Sequence, residues 1–445
     1  MKKQYLDQNV YDALQERLSF LFREFDNLFV SFSGGKDSGL LLNLVLDYAE
    51  KHAPHRRIGV FHQDFEAQYS YTTQYVTETF RRLEGKAELY WVCLPMATRT
   101  AASNFEIFWY PWDDEKRELW VRPMPQADYV INLENNPIDT YRYRMHQEDL
   151  AKQFGRWYAN THKGKTVCLL GLRTDESLNR YNSVVNKRSV LEGKCYVTKH
   201  FDNYWTAAPL YDWTVSDVWH AYDRFGYPYN KLYDLYYKAG LPPEMMRVAS
   251  PFNEYAIESL NLYRVIDPES WTRLVGRVRG ANFASLYAHT KAMGKKVSLP
   301  EGYTWKKYTH FLLSTLPPDI RQNYIRCFAT SISFWHKTGG GLSEESIAEL
   351  EYNGFRILRN GVSNYTIKKY HKVIFLDPIP DETDRIRTTK DIPSWKRMCL
   401  CILKNDHLCR GMGFGMNRAQ KARLDEIRQK YRQLDVKEKG EATCV

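Results

Sequence analysis

The sequence predicts an α/β fold for the first half of the chain, a parallel sheet with helices on both faces, followed by a mostly helical C-terminal region. Short apolar runs alternate with amphipathic segments as far as about residue 240. A Gly-Gly turn joins the first apolar run to a helical segment. Strands that alternate with helices form β-α-β units, which build parallel sheets covered on both faces.

Four strands and the helices between them follow from this alternation. The strands are predicted at residues 27–32, 57–62, 88–94 and 166–172. The helices are predicted at residues 39–50, 71–83 and 148–160. The first strand therefore ends at the glycine turn, and the fourth follows a long connection.

That long connection is rich in Trp and Pro. It contains F-W-Y-P-W-D-D-E-K at 108–116 and R-P-M-P at 122–125. Connections that follow sheet strands often line a binding site. They also form satellite hydrophobic clusters under long loops. The sequence leaves both interpretations open.

The pattern changes after residue 240. Residues up to about 290 are predicted to be helical, including Trp271–Arg279. The glycines from Gly339 mark a break in the chain. Ser343 is followed by two glutamates, which predicts the capped start of a further helix.

Composition and charge limit the class of protein. The chain has 445 residues, 43% of them hydrophobic, enough for globular domains. Its net charge of +10 fits a protein that binds a polyanion, either a phosphorylated nucleotide or nucleic acid, and equally a basic enzyme without such a partner. The N-terminus has no apolar signal region and no run could span a bilayer, so we expect a cytoplasmic protein without membrane contact. The eight cysteines are sparse, which predicts reduced thiols.

The turn S-G-G-K-D-S at 33–38 has the features of an anion site. A strand that enters a helix through such a turn leaves the first helical N–H groups unpaired, and the helix dipole favours negative charge there. The two glycines let the backbone approach phosphate oxygens closely. Ser33 and Ser38 add hydroxyl donors, Lys36 adds a positive charge, and Asp37 could cap the helix or bind magnesium. The spacing is not that of a Walker A loop, and a turn that only connects strand to helix is the alternative.

This hexapeptide resembles the pyrophosphate motif of the adenine nucleotide α-hydrolase-like superfamily. Its members include N-type ATP pyrophosphatases, ATP sulfurylase small subunits and phosphoadenosine-phosphosulfate (PAPS) reductases. G-L-R-T-D-E-S-L-N-R at 171–180 resembles the G-x-R-x-x-E-S-x-x-R segment of the reductase and sulfurylase branch. A-P-L-Y-D-W-T-V-S-D-V-W at 208–219 and P-Y-N-K-L-Y-D at 228–234 resemble two further blocks of that branch. The resemblance implies a Rossmann-like sheet that binds ATP or PAPS with Mg²⁺.

A fourth match, at H-Q-D-F-E-A-Q-Y, is partial. Asp64 aligns with the aspartate of the branch's D-T-G motif, but Phe65 and Glu66 replace Thr-Gly. Asp64 follows the second strand, at the edge where open α/β sheets bind ligands. That position suits contact with a ribose hydroxyl or with magnesium.

The resemblance and the residue chemistry together give a set of expected site residues. Lys36, Arg173 and Arg180 are expected to act in catalysis, because their charges would hold pyrophosphate and neutralise developing charge. Asp37 and Asp64 are the expected Mg²⁺ ligands. The expected nucleotide- and phosphate-binding residues are Ser31, Ser33, Gly34, Gly35, Lys36, Asp37, Ser38, Asp64, Gly171, Arg173, Glu176, Ser177 and Arg180. A surface ion-pair cluster is the alternative for the arginine segment.

Two supporting features are also expected. Thr214 should cap a helix with Asp217 at the third helical position, in a block that supports the site structurally. The cysteine motif of PAPS reductases, an E-C-G-L-H-type segment, is missing, since A-G-L-P-P-E-M-M-R follows the P-Y-N-K-L-Y-D block and Cys444 lies outside any motif. PAPS reduction is therefore disfavoured, and no iron–sulfur cluster is expected.

The C-terminal region resembles the extra domain of uncharacterised PAPS-reductase-like proteins, through residues 395–414. These include the immunoglobulin-binding-regulator-A-like group, which implies a ParB-like protein partner. Helical spacing puts Cys399 and Cys401 on different sides of one helix, which favours buried cysteines and makes zinc unlikely. From residue 396 to 433, ten Lys and Arg stand against three acids, a net of +7. The last predicted helix, 421–432, suits nucleic-acid phosphates or a solvated surface.

Three functions follow as hypotheses. The first is an enzyme that cleaves ATP between the α and β phosphates and adenylylates an acceptor. The second is a co-regulator that senses ATP or PAPS and acts with a DNA-binding partner, and the third is PAPS reduction itself. The expected organisation is a PAPS reductase-like nucleotide-binding domain over 1–240, a helical connection over 241–300, and a C-terminal domain with a basic terminal helix over 301–445.

Overall fold

The computed structural model describes residues 6–103, 106–185, 191–243, 245–248, 250–253, 256–287, 299–300, 302–362, 370–389 and 392–412. The chain forms two compact units, residues 1–286 and 287–445. The three-part organisation expected from the sequence stays a prediction. The basic segment 421–432 and Cys444 lie outside the described residues.

A seven-stranded sheet forms the centre of the first unit. The strands of this unit are β1 (Asn27–Ser31), β2 (Gly59–Gln63), β3 (Glu88–Val92), β4 (Met96–Arg99), β5 (Phe108–Trp109), β6 (Val130–Ile131), β7 (Met145–His146), β8 (Thr166–Leu170), β9 (Val197–Phe201) and β10 (Tyr204–Ala207). The large sheet has the order β6-β3-β2-β1-β8-β10-β9, and β4 lies between β5 and β7 in a small second sheet. Among the strand pairs that the structure describes in the large sheet, β9–β10 is antiparallel and the others are parallel. The predicted, mostly parallel sheet and its four predicted strands are confirmed.

Helices surround this sheet. They are α1 (Val10–Glu24), α2 (Lys36–His52), α3 (Ser70–Leu83), α4 (Gln147–His162), α5 (Leu178–Val185), α6 (Val215–Phe225), α7 (Leu232–Lys238), α8 (Tyr263–Ile266), α9 (Pro268–Arg277) and α10 (Ala281–Tyr287), with 3₁₀ turns at Asp114–Leu119 and Ile257–Leu262. The predicted cap of α6 is confirmed: Thr214 Oγ1 accepts from the Asp217 N–H at 3.2 Å, and the Asp217 carboxylate accepts from the Thr214 N–H at 2.7 Å.

The sheet has an apolar core on each face because its buried strands are apolar at consecutive positions. Successive side chains point to opposite faces of a strand. In β1, Leu28 and Val30 join the core that contains Leu18 of α1. Phe29 joins the other core, where its ring lies 5.5 Å from that of Phe154 on α4. Helices therefore cover both faces, as predicted.

The Trp- and Pro-rich connection packs into the protein. Trp112 is 1% exposed and belongs to the core that contains α1 and α2. Its ring meets that of Trp120 edge-on at 5.1 Å. Trp112 therefore belongs to the main core and not to a satellite cluster, and the interpretation that the segment lines a binding site stays a prediction.

The second unit is mostly helical and carries a small sheet. Its helices are α11 (Trp305–Thr315), α12 (Pro318–Ser333), α13 (Glu344–Tyr352) and α14 (Trp395–Leu403), with a π turn at Phe334–Thr338 and a 3₁₀ turn at Arg410–Met412. Its strands are β11 (Gly340–Leu342), β12 (Ile357–Val362) and β13 (His371–Phe375), in the antiparallel order β11-β13-β12. Ser343 caps α13 as predicted, and Ser394 caps α14. The sequence did not predict the sheet, because the exposed strand β12 has no apolar run.

The cysteines near α14 are buried, as predicted. Cys399, Cys401 and Cys409 are each 3% exposed or less. Burial raises the pKa of the Cys399 thiol to about 12. All seven cysteines within the described ranges are free thiols. Among the helices that the structure describes, none has the length and apolar character needed to cross a bilayer.

Candidate functional site

The expected site residues lie at the point where the strand order of the large sheet reverses. From β1 the chain continues outwards to β2 and β3, and it returns to β8 on the other side of β1. The segments 32–35 and 171–177 follow β1 and β8, so both leave the sheet at its carboxyl edge. Open parallel sheets bind ligands in the crevice at this position.

The turn after β1 is held by its own serines. The Ser33 and Ser38 hydroxyls are 2.9 Å apart, and Ser38 Oγ accepts from the Ser33 N–H at 3.1 Å. Gly34 has φ of +76°, a conformation that favours glycine. A Cβ there would also come within 2.9 Å of Val76. The turn therefore needs glycine at position 34 both for its dihedral angle and for space.

The start of α2 presents main-chain donors to the crevice. The Lys36 N–H donates to the Tyr233 hydroxyl at 2.9 Å. Among the residues that the structure describes, the Asp37 and Ser38 N–H groups have no protein acceptor. Helix-start N–H groups without acceptors attract anions. This arrangement matches the anion site expected from the sequence.

Gly171 brings the segment after β8 into contact with this helix start. A Cβ on Gly171 would lie only 2.7 Å from the Ser38 nitrogen and 2.8 Å from the Asp37 carbonyl carbon. Any other residue would therefore separate the two segments. The residues that the sequence assigned to two separate motifs lie together in the folded chain.

A compact group of charges lies where the start of α2 meets the segment after β8, a place that we call the junction. Lys36 and Arg173 are 4% and 3% exposed. Asp37 lies between them, with Oδ2 3.1 Å from Lys36 Nζ and Oδ1 2.6 Å from Arg173 Nε. Arg173 also pairs with Asp175. Burial works to lower the pKa of Arg173, but the Asp37 and Asp175 carboxylates outweigh it and raise the pKa above its ordinary value.

The P-Y-N-K-L-Y-D block supports the turn directly, which the sequence did not predict. Asn230 is fully buried and donates to the Gly34 carbonyl at 3.0 Å and to the Thr72 hydroxyl at 2.9 Å. The Tyr222 hydroxyl donates to the Lys36 carbonyl at 2.7 Å. Tyr233 accepts from the Lys36 N–H, as described above. The one signal in the sequence was the block itself, and its buried Asn230 has the hydrogen-bond partners that a buried polar side chain needs.

The remaining residues of the arginine segment surround the start of α5. Ser177 Oγ accepts from the Arg180 N–H at 3.2 Å, a bond typical of a helix cap. The Arg180 guanidinium lies 3.6 Å from the Glu176 carboxylate and its side chain is 54% exposed. Arg180 is therefore paired at the surface, whereas Arg173 is buried in the junction.

Of the two remaining expected residues, Ser31 lies within the sheet and Asp64 is buried among other polar side chains. Ser31 is the last residue of β1 and pairs in register with Phe61 and Leu170. Asp64 is 0% exposed, and its carboxylate accepts from Trp91 Nε1 at 2.6 Å and from Arg122. Burial works to raise the pKa of Asp64, but the Arg122 charge leads the effects that hold it below its ordinary value. Contact of Asp64 with ribose or magnesium would require the release of these partners.

The contacts of Glu66 account for a glutamate at the position where the D-T-G motif has glycine. It has φ of +60°, so this non-glycine residue keeps a conformation that glycine adopts readily. Its fully buried carboxylate accepts from the Trp112 and Val121 N–H groups at 2.7 and 2.9 Å. Arg277 of α9 binds both carboxylate oxygens, at 2.9 and 3.2 Å. Glu66 thus fastens the long connection and α9 to the sheet edge.

Asp37 and Asp64, the expected Mg²⁺ ligands, both have cationic protein partners. The Asp37 carboxylate lies next to Lys36 and Arg173, and the Asp64 carboxylate pairs with Arg122. Within the described part of the chain, no group of three or more His, Cys, Asp or Glu residues is arranged to hold a metal ion. The expected Mg²⁺-binding role of Asp37 and Asp64 stays a prediction.

Comparison with known proteins gives the family of each part of the chain. Residues 27–239 match the model of the phosphoadenosine phosphosulfate reductase domain. Residues 240–423 match the domain of unknown function DUF3440. The uncharacterized protein YbdN of Escherichia coli (strain K12) is 29% identical over 420 residues, which cover 93% of this chain and 92% of that protein.

Two solved structures were also compared. The phosphoadenylyl-sulfate reductase of Candida auris, in a phosphate complex, is 14% identical with a TM-score of 0.28, over 53% of this chain and 94% of that one. The FMN adenylyltransferase of Candida glabrata, with FMN and an ATP analogue, is 14% identical with a TM-score of 0.31, over 52% of this chain and 64% of that one. By their match to the two family models, residues 27–239 belong to the phosphoadenosine phosphosulfate reductase domain family, and they are followed by a DUF3440 domain.

Proposed function

We propose that the protein binds ATP and cleaves it between the α and β phosphates. An acceptor nucleophile attacks the α-phosphorus, the bond to the bridging oxygen breaks, and pyrophosphate leaves while the acceptor keeps the adenylyl group. The observation that carries the proposal is the junction at the sheet edge. There, N–H groups of Asp37 and Ser38 without a protein acceptor in the described chain adjoin the buried charges of Lys36 and Arg173.

Each group has a role that its chemistry supports. The N–H groups at the start of α2 and the Lys36 ammonium would bind the leaving pyrophosphate. Arg173 would neutralise charge that develops on the phosphate oxygens, because its guanidinium is fixed by Asp37 in a buried site where electrostatic effects are strong. Arg180, exposed and paired with Glu176, would supply a second, movable cation. Magnesium bound to the phosphates of ATP would offset part of their charge.

Lys36→Ala tests this proposal in the full-length protein. Purified protein is incubated with magnesium and labelled ATP, and pyrophosphate release is measured. Loss of the Lys36 charge should slow release by on the order of a hundredfold, as does removal of one stabilising donor from other active sites. Lys51→Ala is the matched control, since Lys51 is exposed in the last turn of the same helix, and it should leave the rate within about twofold of the wild type.

The same preparation separates the other hypotheses. Nucleotide binding without pyrophosphate release, together with salt-sensitive retention of DNA, would replace the proposal with a nucleotide-sensing co-regulator that acts with a DNA-binding partner. Sulfite release from PAPS with a thiol donor would identify a reductase. Equal pyrophosphate release by the wild type and Lys36→Ala would refute the proposed role of the turn.

A further inference from the structure

A short segment that follows the P-Y-N-K-L-Y-D block connects both halves of the junction. It comprises residues 245–248 and belongs to the part of the chain that matches DUF3440. The Met246 carbonyl accepts from Lys36 Nζ at 3.4 Å. The next residue, Arg247, donates from Nη2 to the Glu176 carbonyl at 2.9 Å. Adjacent residues thus contact the turn after β1 and the arginine segment after β8.

Packing fixes the position of this segment. Met246 is 3% exposed. Val248 lies against the turn, because its Cβ is 3.7 Å from the place that a Cβ on Gly35 would occupy. Further along, Phe252 is fully buried, its ring meets that of Trp109 at 5.1 Å, and its carbonyl accepts from the Ala101 N–H at 2.7 Å. Arg247, which is half-buried, therefore projects from a backbone that is held on both sides.

We propose that Arg247 is a further anion-binding residue of this site and contacts the phosphate chain of the bound nucleotide. This inference depends on the proposed function and adds to it a residue outside the motifs of the reductase domain. Arg247 lies beside Glu176, whose neighbours Arg173 and Arg180 are the other cations of the segment. Three guanidinium groups and Lys36 would then border the same crevice.

A phosphate could replace the Glu176 carbonyl as an acceptor for Arg247. That bond, one of the contacts of Arg247, goes to a neutral main-chain oxygen. Hydrogen bonds from guanidinium to anionic oxygens are shorter and roughly twice as strong as bonds between neutral groups. A phosphate oxygen within reach is therefore a better acceptor than the carbonyl. The planar fork of donors also lets one arginine bind two phosphate oxygens.

Titration calorimetry with ATP, ADP and AMP tests the inference on the full-length protein. Arg247→Ala should weaken ATP binding about tenfold or more, the usual effect of losing a charged hydrogen bond. The loss should shrink from ATP to ADP to AMP, because fewer phosphates remain to be contacted. Arg247→Lys should recover part of the affinity. Arg224→Ala is the control, since Arg224 is exposed in the last turn of α6 and should bind ATP like the wild type.

The outcomes distinguish this inference from the proposed function. If the wild type binds ATP and Lys36→Ala does not, but Arg247→Ala binds as tightly as the wild type, the role of Arg247 is rejected and the function stands. An equal loss for all three nucleotides, with a lowered melting temperature, would reveal a structural role and also reject it. If the wild type binds none of the three nucleotides, both the role of Arg247 and the proposed function are rejected.

Discussion

At the scale of single residues, Glu66 joins parts of the chain that are far apart in sequence. Its buried carboxylate pairs with Arg277 and holds two main-chain N–H groups. Glu66→Gln leaves the Arg277 charge buried without its counter-charge, and breaking such a pair is costly. We expect the free energy of unfolding, measured in urea, to fall by about 3 kcal/mol. Glu78→Gln, on the exposed face of α3, should change it by less than about 0.5 kcal/mol, and equal effects would contradict this account.

The tyrosines around the turn predict a response to alkaline pH. Burial raises the pKa of Tyr75 to about 12, and it raises the pKa values of Tyr222 and Tyr233 well above their ordinary value. Because the pKa of Tyr75 is higher in the folded protein than its ordinary value of 10.0, its contribution to stability is complete below pH 10 and is lost as pH rises towards 12. The free energy of unfolding should therefore fall over that range.

Tyr75→Phe isolates this effect. The variant loses the hydrogen bond to the Pro228 carbonyl, a cost of about 1 kcal/mol at every pH. Its stability should nevertheless decline less steeply above pH 10 than that of the wild type. Unfolding curves at several pH values, together with tyrosinate absorbance, measure both quantities. Identical slopes for the two proteins would show that Tyr75 does not ionise on unfolding as expected.

At the scale of elements, the site depends on the contact of the segment after β8 with the start of α2. Gly171→Ala would place a Cβ 2.7 Å from the Ser38 nitrogen, so one segment must move. We expect a loss of about 2 kcal/mol of unfolding free energy, typical of overpacking, and weaker binding of pyrophosphate. Gly276→Ala is the matched control because its Cβ would meet nothing within 4 Å on an exposed face of α9. That change should stabilise the protein by up to about 1 kcal/mol, and a similar gain for Gly171→Ala would disprove the contact.

Elements with local causes were predictable from the sequence. The cap of α6 needs only Thr214 and Asp217, three residues apart, and the strands needed only their apolar runs. The Glu66–Arg277 pair joins residues 211 positions apart, so no local pattern could reveal it. The bonds of Asn230 to Gly34 and of Arg247 to Glu176 were missed for the same reason, since polar side chains do not name distant partners. The position of the glycine turn could be predicted from the sequence, but the distant side chains that hold the turn could not.

At the scale of the whole molecule, each of the two units buries large aromatic side chains. Phe154 is fully buried in the first unit, and Tyr324 is fully buried in the second. Phe154→Ala should lower the stability of the first unit by about 4 kcal/mol, and Tyr324→Ala should destabilise the second. Calorimetry should therefore resolve two transitions, each shifted by one variant only. Tyr352→Ala, at a side chain that is 90% exposed, should shift neither, and a single transition moved by both core variants would contradict the division.

The pairing of Lys36 and Arg173 with Asp37 has a consequence for the effect of dissolved ions. An open basic patch is surrounded by mobile counter-ions, and anion binding there releases them, so its affinity falls steeply as salt is added. At this junction the neutralising charge is a carboxylate of the protein itself, buried and attached to the chain. An incoming phosphate would meet cations that already have this counter-charge, and it would displace few ions into the solvent. The protein's hold on an anion should therefore persist at ionic strengths that strip ligands from exposed lysine and arginine clusters.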